Sequence, residues 1–287
     1  MELRVENLTK KYKGAAQRTL TDINFKVSSG EIVGLVGSNG AGKTTLLKCL
    51  TKRLKYTEGA VLINNEEIWT AEHMLNDIGI LMDPVFFDYL TAYENIKFYL
   101  NLNFRRDLFG KIDEILKFVG LYEKRNSSPR TFSFGMRQRL GLAMSIVTEP
   151  QILIMDEPFI GLDQRGIQDL VNIVKKWMQE RSILVIISSH QLSELEELCT
   201  RYLLLDEGKI KDIDSKELHP RVIIKIANAS IKLGEKYDIR HVGNGDEIVI
   251  NCQGERLAQA MREISNMSEI LDIRTESLLK TKFIVNE

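Results

Sequence analysis

The stretch that decides the fold is GLVGSNGAGKTT, residues 34–45. Residues 37–44 match the pattern G-x-x-x-x-G-K-[ST]. The segment before it, EIVGLV (31–36), is short and apolar like a strand. The segment after it, TTLLKCLTKRL (44–54), reads as a helix. The motif therefore lies between strand and helix, where its chemistry requires it. Gly37, Gly40 and Gly42 let the backbone curl, so that N–H groups along Ser38, Asn39 and Ala41 turn inward to phosphate oxygens. The helix adds the positive end of its dipole. Lys43 is placed to reach β- and γ-phosphates, and the Thr44 hydroxyl to ligate Mg²⁺. Alone, the motif implies binding of a nucleoside triphosphate.

A second stretch extends this to hydrolysis. ILIMDEP (152–158) is a buried apolar run that ends in two acids. Charge at the edge of a core is costly unless it has a task or a partner. Asp156 is expected in the Mg²⁺ shell, through water. Glu157 is the acid that positions and polarises an attacking water. The pair favours hydrolysis over transfer to a second substrate.

Around these motifs the chain reads as an α/β core. QILIM and SILVII are dense apolar runs, as in strands covered on both faces. QDLVNIVKKWMQE lies between them as a crossover helix. RVENL and INFKV read as earlier strands, and AVLINNEEI and IGILM as later ones. Residues 91–145 turn helical, with Ile112, Ile115, Leu116 and Val119 on one buried stripe. Residues 1–219 are expected to form one domain, with a helical insertion at about 84–147. Residues 220–287 read as a small α+β accessory domain, with the boundary near KELHP. There RVIIKIA and EIVINC are strands, Leu257, Met261 and Ile264 mark a helix face, and GEKYDIRHVGNGDE is a turn-rich connection. The phosphate-loop motif occurs once, so one ATPase unit is expected.

Composition excludes several classes. The net charge of −1 argues against nucleic acid as a bulk electrostatic partner. No apolar run reaches the ~18–20 residues of a membrane span. MELRVENLTK has no signal-peptide core, so the protein is expected to stay in the cytoplasm. Cys49, Cys199 and Cys252 are far apart and read as reduced, buried thiols. The scattered histidines show no metal-ligand cluster.

TFSFGMRQRLGLAMSIV (131–147) is a polar start followed by a helix, with Ser133 as cap and Gly135 allowing close backbone approach. SFGMRQR, after the phosphate loop and before LIMDEP, resembles the signature of ABC-type ATPases, usually L-S-G-G-Q. GLD (161–163) resembles the loop that follows the family's acid pair, and ISSH (187–190) resembles its switch-histidine segment. Tyr12, in KKYKG, matches the aromatic that stacks on adenine. The resemblance covers about residues 1–215. It implies a P-loop NTPase core with a mixed sheet and flanking helices, an N-terminal antiparallel β subdomain and the helical insertion. It also implies two such domains closing head-to-tail around two ATP molecules. Ser133 and the backbone at Gly135 would then meet the γ-phosphate held by the partner's Lys43. Asp163 would help set the opposing site, His190 would sense the γ-phosphate, and Thr45 would support the α-phosphate.

Three positions depart from the family pattern. Phe134 replaces the first signature glycine and Met136 the terminal glutamine. In LMDPVFF (81–87), Asp83 stands where the family has glutamine, at the end of a strand that Pro84 stops. Bacitracin- and lantibiotic-type exporters resemble this chain in having an acid there. Asp83 is therefore expected at the mouth of the ATP site, near Mg²⁺ and at a hinge. The implied assembly is a peripheral subunit on the inner face of the membrane, with ATP and Mg²⁺ as cofactors. Its partners would be a separate transmembrane permease and a second ATPase subunit, in a homodimer or a paralogous heterodimer. No nucleic acid is expected. Phe86, Phe87 and Tyr89 are expected either to line the docking groove or to fill the core of the insertion. The alternatives are a soluble non-transport ABC-type ATPase and a nucleotide-dependent binding module with low turnover.

Overall fold

The N-terminal alternation of apolar and polar residues becomes two long strands, β1 (Glu2–Lys10) and β2 (Leu20–Ser28). The computed structural model describes residues 1–70, 77–190, 192–214, 221–227, 239–242, 247–250 and 254–276. Next come β3 (Ile32–Val36) and α1 (Lys43–Leu50). This helix is shorter than its sequence pattern. Thr51 Oγ1 donates back to the Leu47 carbonyl at 2.9 Å, and Lys52 turns left-handed at φ 58, which ends the helix. AVLINNEEI is also not one strand. It forms β4 (Glu58–Ile63) and β5 (Glu66–Glu67), which pair as a hairpin. Asn64 and Asn65 both have positive φ, the chemistry of a tight hairpin turn. These strands form an antiparallel sheet in the order β2-β1-β4-β5.

The central sheet follows. Its strands are β6 (Ile78–Leu81), β7 (Ile152–Asp156), β8 (Leu184–Ser188), β9 (Arg201–Asp206) and β10 (Lys209–Asp214), together with β3. Their order is β10-β9-β3-β8-β7-β6. The pairs β6/β7, β7/β8, β8/β3 and β3/β9 are parallel. β3 and β8 are buried along their whole length, as strands covered on both faces must be. Parallel pairing places the C-terminal ends of β3, β6, β7 and β8 together. The phosphate loop, Asp83, the acid pair and His190 all follow those ends.

The helices are α2 (Ala92–Leu102), α3 (Ile112–Phe118), α4 (Phe134–Ile146), α5 (Gln164–Glu180) and α6 (Leu192–Leu198). Ile112, Ile115, Leu116 and Val119 are all buried, as their spacing predicts. Thr91 and Glu94 cap α2 reciprocally. Asn95, 1% exposed, secures the loop before that helix. Its amide donates to the carbonyls of Phe87, Leu90 and Thr91, and its oxygen accepts from Phe87 N at 2.8 Å. A buried amide satisfied in this way fixes the backbone on both sides of Phe87. Among the described residues no helix is long and apolar enough to cross a membrane.

The chain divides into two compact units, Met1–Asp212 and Ile213–Glu287. The KELHP segment lies outside the described residues. In the second unit β11 (Arg221–Ile226), β12 (Ile239–Val242), β13 (Glu247–Ile250) and β14 (Ile270–Glu276) pair antiparallel in the order β12-β13-β11-β14. α7 (Gly254–Met267) contributes Ala260 and Ile264 to a core with Val222, Ile224, Ile226, Ile248 and Ile250. Leu257 and Met261 pack against that core on the same helix face. β12 corrects the sequence reading, which treated this stretch as part of a turn-rich connection. Ile239 and His241 are in register with Ile250 and Ile248, so antiparallel backbone pairing with β13 makes this short segment a strand. In the first unit, Cys49 and Cys199 are free and buried. Burial pushes the Cys49 thiol up to about 11 and raises Cys199 above the ordinary thiol range, so neither is a ready nucleophile. Cys252 lies outside the described residues.

Candidate functional site

The loop between β3 and α1 builds its turn from its own backbone. Ala41 N donates to the Ser38 carbonyl at 3.2 Å. Gly42 adopts φ 108 at the N-cap of α1, a value that side-chain-bearing residues avoid. Lys43 is 7% exposed. Its ammonium donates to the Gly37 carbonyl at 2.8 Å and approaches the Ser38 carbonyl at 3.4 Å. It lies 3.6 Å from Glu157 Oε1. A buried ammonium needs such partners.

Glu157 is the hub of this site. Its Oε2 accepts from His190 N at 3.2 Å and lies 2.8 Å from His190 Nδ1. Its backbone is left-handed, at φ 47. Ser188 holds that conformation: Glu157 N donates to Ser188 Oγ at 2.9 Å and to the Ser188 carbonyl at 3.1 Å. The Ser188 hydroxyl donates to Asp156 Oδ1 at 2.5 Å. One fully buried hydroxyl thus ties the two acids together. Sequence reasoning read ISSH only for its histidine. The missed signal was alignment, because Asp156 and Ser188 are register partners at the ends of β7 and β8.

Two hollows share Thr44 and Glu157, and a third is linked to the second through Phe134 and Gln138. A cleft of about 360 Å³ is lined by Ser38, Asn39, Gly40, Gly42, Lys43, Thr44 and Thr45, with Glu157 and His190 facing them. Gly37 serves the cleft through its carbonyl. Tyr12 does not line it and is 43% exposed. Its hydroxyl reaches Thr45 Oγ1 at 3.2 Å, and Lys10 Nζ lies 5.4 Å from its ring centre. A second hollow, of about 250 Å³, brings Thr44, Asp83, Asp156 and Glu157 together with Phe134 and Gln138. Asp83 is exposed and holds φ 45 in the turn after β6. The predicted metal ligands Thr44, Asp156 and Asp83 therefore border one hollow. Among the described residues no three or more His, Cys, Asp or Glu side chains cluster to hold a metal alone.

Ser133, Gly135 and Asp163 are not on the Lys43 cleft. They line a third hollow, of about 450 Å³, with Arg139 and Arg165. Ser133 caps α4, its Oγ accepting from Met136 N at 3.3 Å. Asp163 caps α5, its Oδ1 accepting from Gly166 N at 2.8 Å. Both cap oxygens stand at positive helix ends facing one space. Phe134 lines this hollow as well as the second.

Residues 20–160 match the ABC transporter family. The uncharacterized ABC transporter ATP-binding protein YhcH of Bacillus subtilis (strain 168) is 33% identical over 98% of this chain and 92% of its own length. The bacitracin transport ATP-binding protein BcrA of Bacillus licheniformis is 37% identical over 72% of this chain and 68% of its own. A dimeric post-hydrolysis state of the ATP-binding cassette MJ0796, bound to ADP and Pi, superposes with a TM-score of 0.67 and 26% identity. It covers 74% of this chain and 98% of that one.

Proposed function

This chain belongs to the ABC transporter ATP-binding proteins, subunits that bind and hydrolyse ATP to power a transporter, and from that premise we propose that it drives a separate membrane permease that exports a peptide antimicrobial. The observation that supports the ATP chemistry is the position of Glu157, within reach of Lys43 and His190 on one cleft. In this reading Lys43 and the backbone of residues 38–42 hold the β- and γ-phosphates, and Thr45 supports the α-phosphate beside Tyr12, the adenine platform. Glu157 positions and polarises the attacking water, and His190 senses the γ-phosphate. The oxygens of Thr44, Asp156 and Asp83 fit Mg²⁺, which keeps several waters and takes only one or two carboxylates beside phosphate. A Mg²⁺ ion held there would offset the negative charge of the bound phosphates.

Ser133, Gly135 and Asp163 stand apart from Lys43, which supports a role toward the ATP of a second subunit. That subunit is either another copy or a paralogue. The dimeric state of the MJ0796 neighbour supports the same arrangement. Residues 1–219 are taken as the ATP-hydrolysing domain and residues 220–287 as an accessory domain. The subunit sits on the inner face of the membrane through its permease and needs no nucleic acid. The docking surface is the loop after Asp83, where Val85 and Tyr89 are 79% and 81% exposed and Asn95 fixes the backbone at Phe87. BcrA, named for bacitracin transport, supports the choice of cargo class.

Affinity purification from membranes tests the partner. An integral membrane protein with several spans should co-purify, and the complex should hydrolyse ATP. A chain recovered only from the soluble fraction, with nucleic acid or translation factors, would overturn the transport reading.

Asp83 has its own test. Asp83→Ala should lower ATPase kcat about tenfold and weaken coupling to transport, because a carboxylate near Asp156 and Glu157 is lost. Stability should barely change, since the side chain is exposed. Unaltered ATPase and transport would remove Asp83 from the mechanism.

A further inference from the structure

Phe134 is a departure from the glycine usual in the signature, and its ring has a definite place. It is the first residue of α4 and is 49% exposed, so it adds little to the core. The ring lies against Gly161, in the loop that joins Glu157 to Asp163. A Cβ built on Gly161 would meet Phe134 Cε1 at 3.0 Å, Cδ1 at 3.2 Å and Cζ at 3.3 Å. Gly161 also holds φ 74, so two separate constraints keep a side chain out of that place. A second contact runs alongside. A Cβ on Gly135 would meet Leu162 Cδ2 at 3.3 Å. Residues 134–135 and 161–162 therefore interlock within one chain.

The position of the ring matters for the reaction. It forms a wall of the hollow that holds Thr44, Asp83, Asp156 and Glu157, and equally of the hollow that holds Ser133 and Asp163. The loop it touches is short. Ile160 N donates to the Glu157 carbonyl at 3.3 Å and Leu162 N to the Phe159 carbonyl at 3.2 Å, so a shift at Gly161 passes to both acids. We propose that Phe134 is a positioning residue, whose ring clamps the 157–163 loop to the start of α4 and so holds Glu157 for its own subunit's ATP while Asp163 faces the partner's. A glycine in that place would remove the ring's contact with Gly161. The proposal rests on the hydrolytic reading above. It adds a same-chain link between the two sites each subunit serves.

The test uses the purified full chain with Phe134→Ala and Phe134→Tyr. Alanine removes the ring, and misplacement of a catalytic group by about 1 Å costs up to about a hundredfold in rate. The expected result is a fall in kcat of about ten- to a hundredfold for alanine. Binding of a fluorescent ATP analogue to the monomer should stay within about twofold, because Phe134 does not line the Lys43 cleft and the phosphate loop is unchanged. Tyrosine keeps the ring and should restore kcat to within about twofold of wild type. Wild-type kcat in the alanine variant would overturn the proposal. A fall in kcat that tyrosine does not restore would overturn it too. So would a drop in Tm above about 4 °C with alanine, since the ring would then be a fold element. Failure of the hydrolytic reading looks different: the wild-type chain itself would not hydrolyse ATP, or Glu157→Gln would not slow it.

Discussion

Glu157→Gln should lower steady-state ATPase kcat about a hundred- to a thousandfold while leaving ATP binding intact. The change is isosteric, so the cleft keeps its shape. The backbone of residue 157 is held by its N–H bonds to Ser188, which do not depend on the side chain. Lys43 keeps its bonds to the Gly37 and Ser38 carbonyls. What is lost is the carboxylate, the group proposed to polarise water and accept its proton. General-base assistance accounts for about 10²–10⁴ in rate, which sets the size of the effect. The site also gains one unit of positive charge relative to wild type, 3.6 Å from the Lys43 ammonium, which favours retention of the triphosphate. ATP-bound dimers should therefore accumulate. Gel filtration with ATP would show the shift to dimer, and phosphate release would show the lost turnover. Undiminished phosphate release would take Glu157 out of the mechanism.

Ser133→Arg should abolish ATP-driven dimerisation and leave nucleotide binding to the monomer within about twofold. Ser133 is exposed and does not line the Lys43 cleft, so binding there has no reason to fail. The hollow it lines already holds Arg139 and Arg165 and lies at the positive end of α4. A third guanidinium would fill the space proposed for the partner's phosphate and remove the capping hydroxyl. Loss of the cap alone costs about 1 kcal/mol, too little to unfold the chain. Ser133→Ala separates the two effects, because it removes the cap without adding bulk or charge. The dimer dissociation constant with ATP, from sedimentation, should rise more than about a hundredfold for arginine, about 2.8 kcal/mol. Dimerisation at wild-type strength in the arginine variant would refute the contact between subunits.

Much of the site was legible because its chemistry is local. GSNGAGKT needs only consecutive residues to make its turn, and ILIMDE places its acids by ending a strand. Ser188 was different: its hydroxyl matters because β7 and β8 align Asp156 with Ser188, a register that no short stretch of sequence contains. Asn95 was missed for the same reason, since its four bonds reach back to residues 87–91 across a helix start. Phe134 read as a tolerated departure until its ring lay on Gly161. β12 was hidden because Arg240 and His241 break the apolar pattern, and only pairing with β13 makes the segment a strand.

By itself the sequence determined the α/β class, the phosphate loop, the strand-end acids and the capped start of α4. These follow from periodicity, burial of apolar runs and capping, which act over a few residues. Only the tertiary structure decided how they meet. Parallel pairing of β3, β8, β7 and β6 brings four strand ends to one edge, so that Lys43, Glu157, His190 and Asp83 face neighbouring hollows. It also decided that Ser133 and Asp163 lie on a different hollow from Lys43, with Phe134 as the wall they share with the acid pair. Distances between residues far apart in the chain are set by sheet register and helix packing, which depend on the whole core rather than on any single stretch.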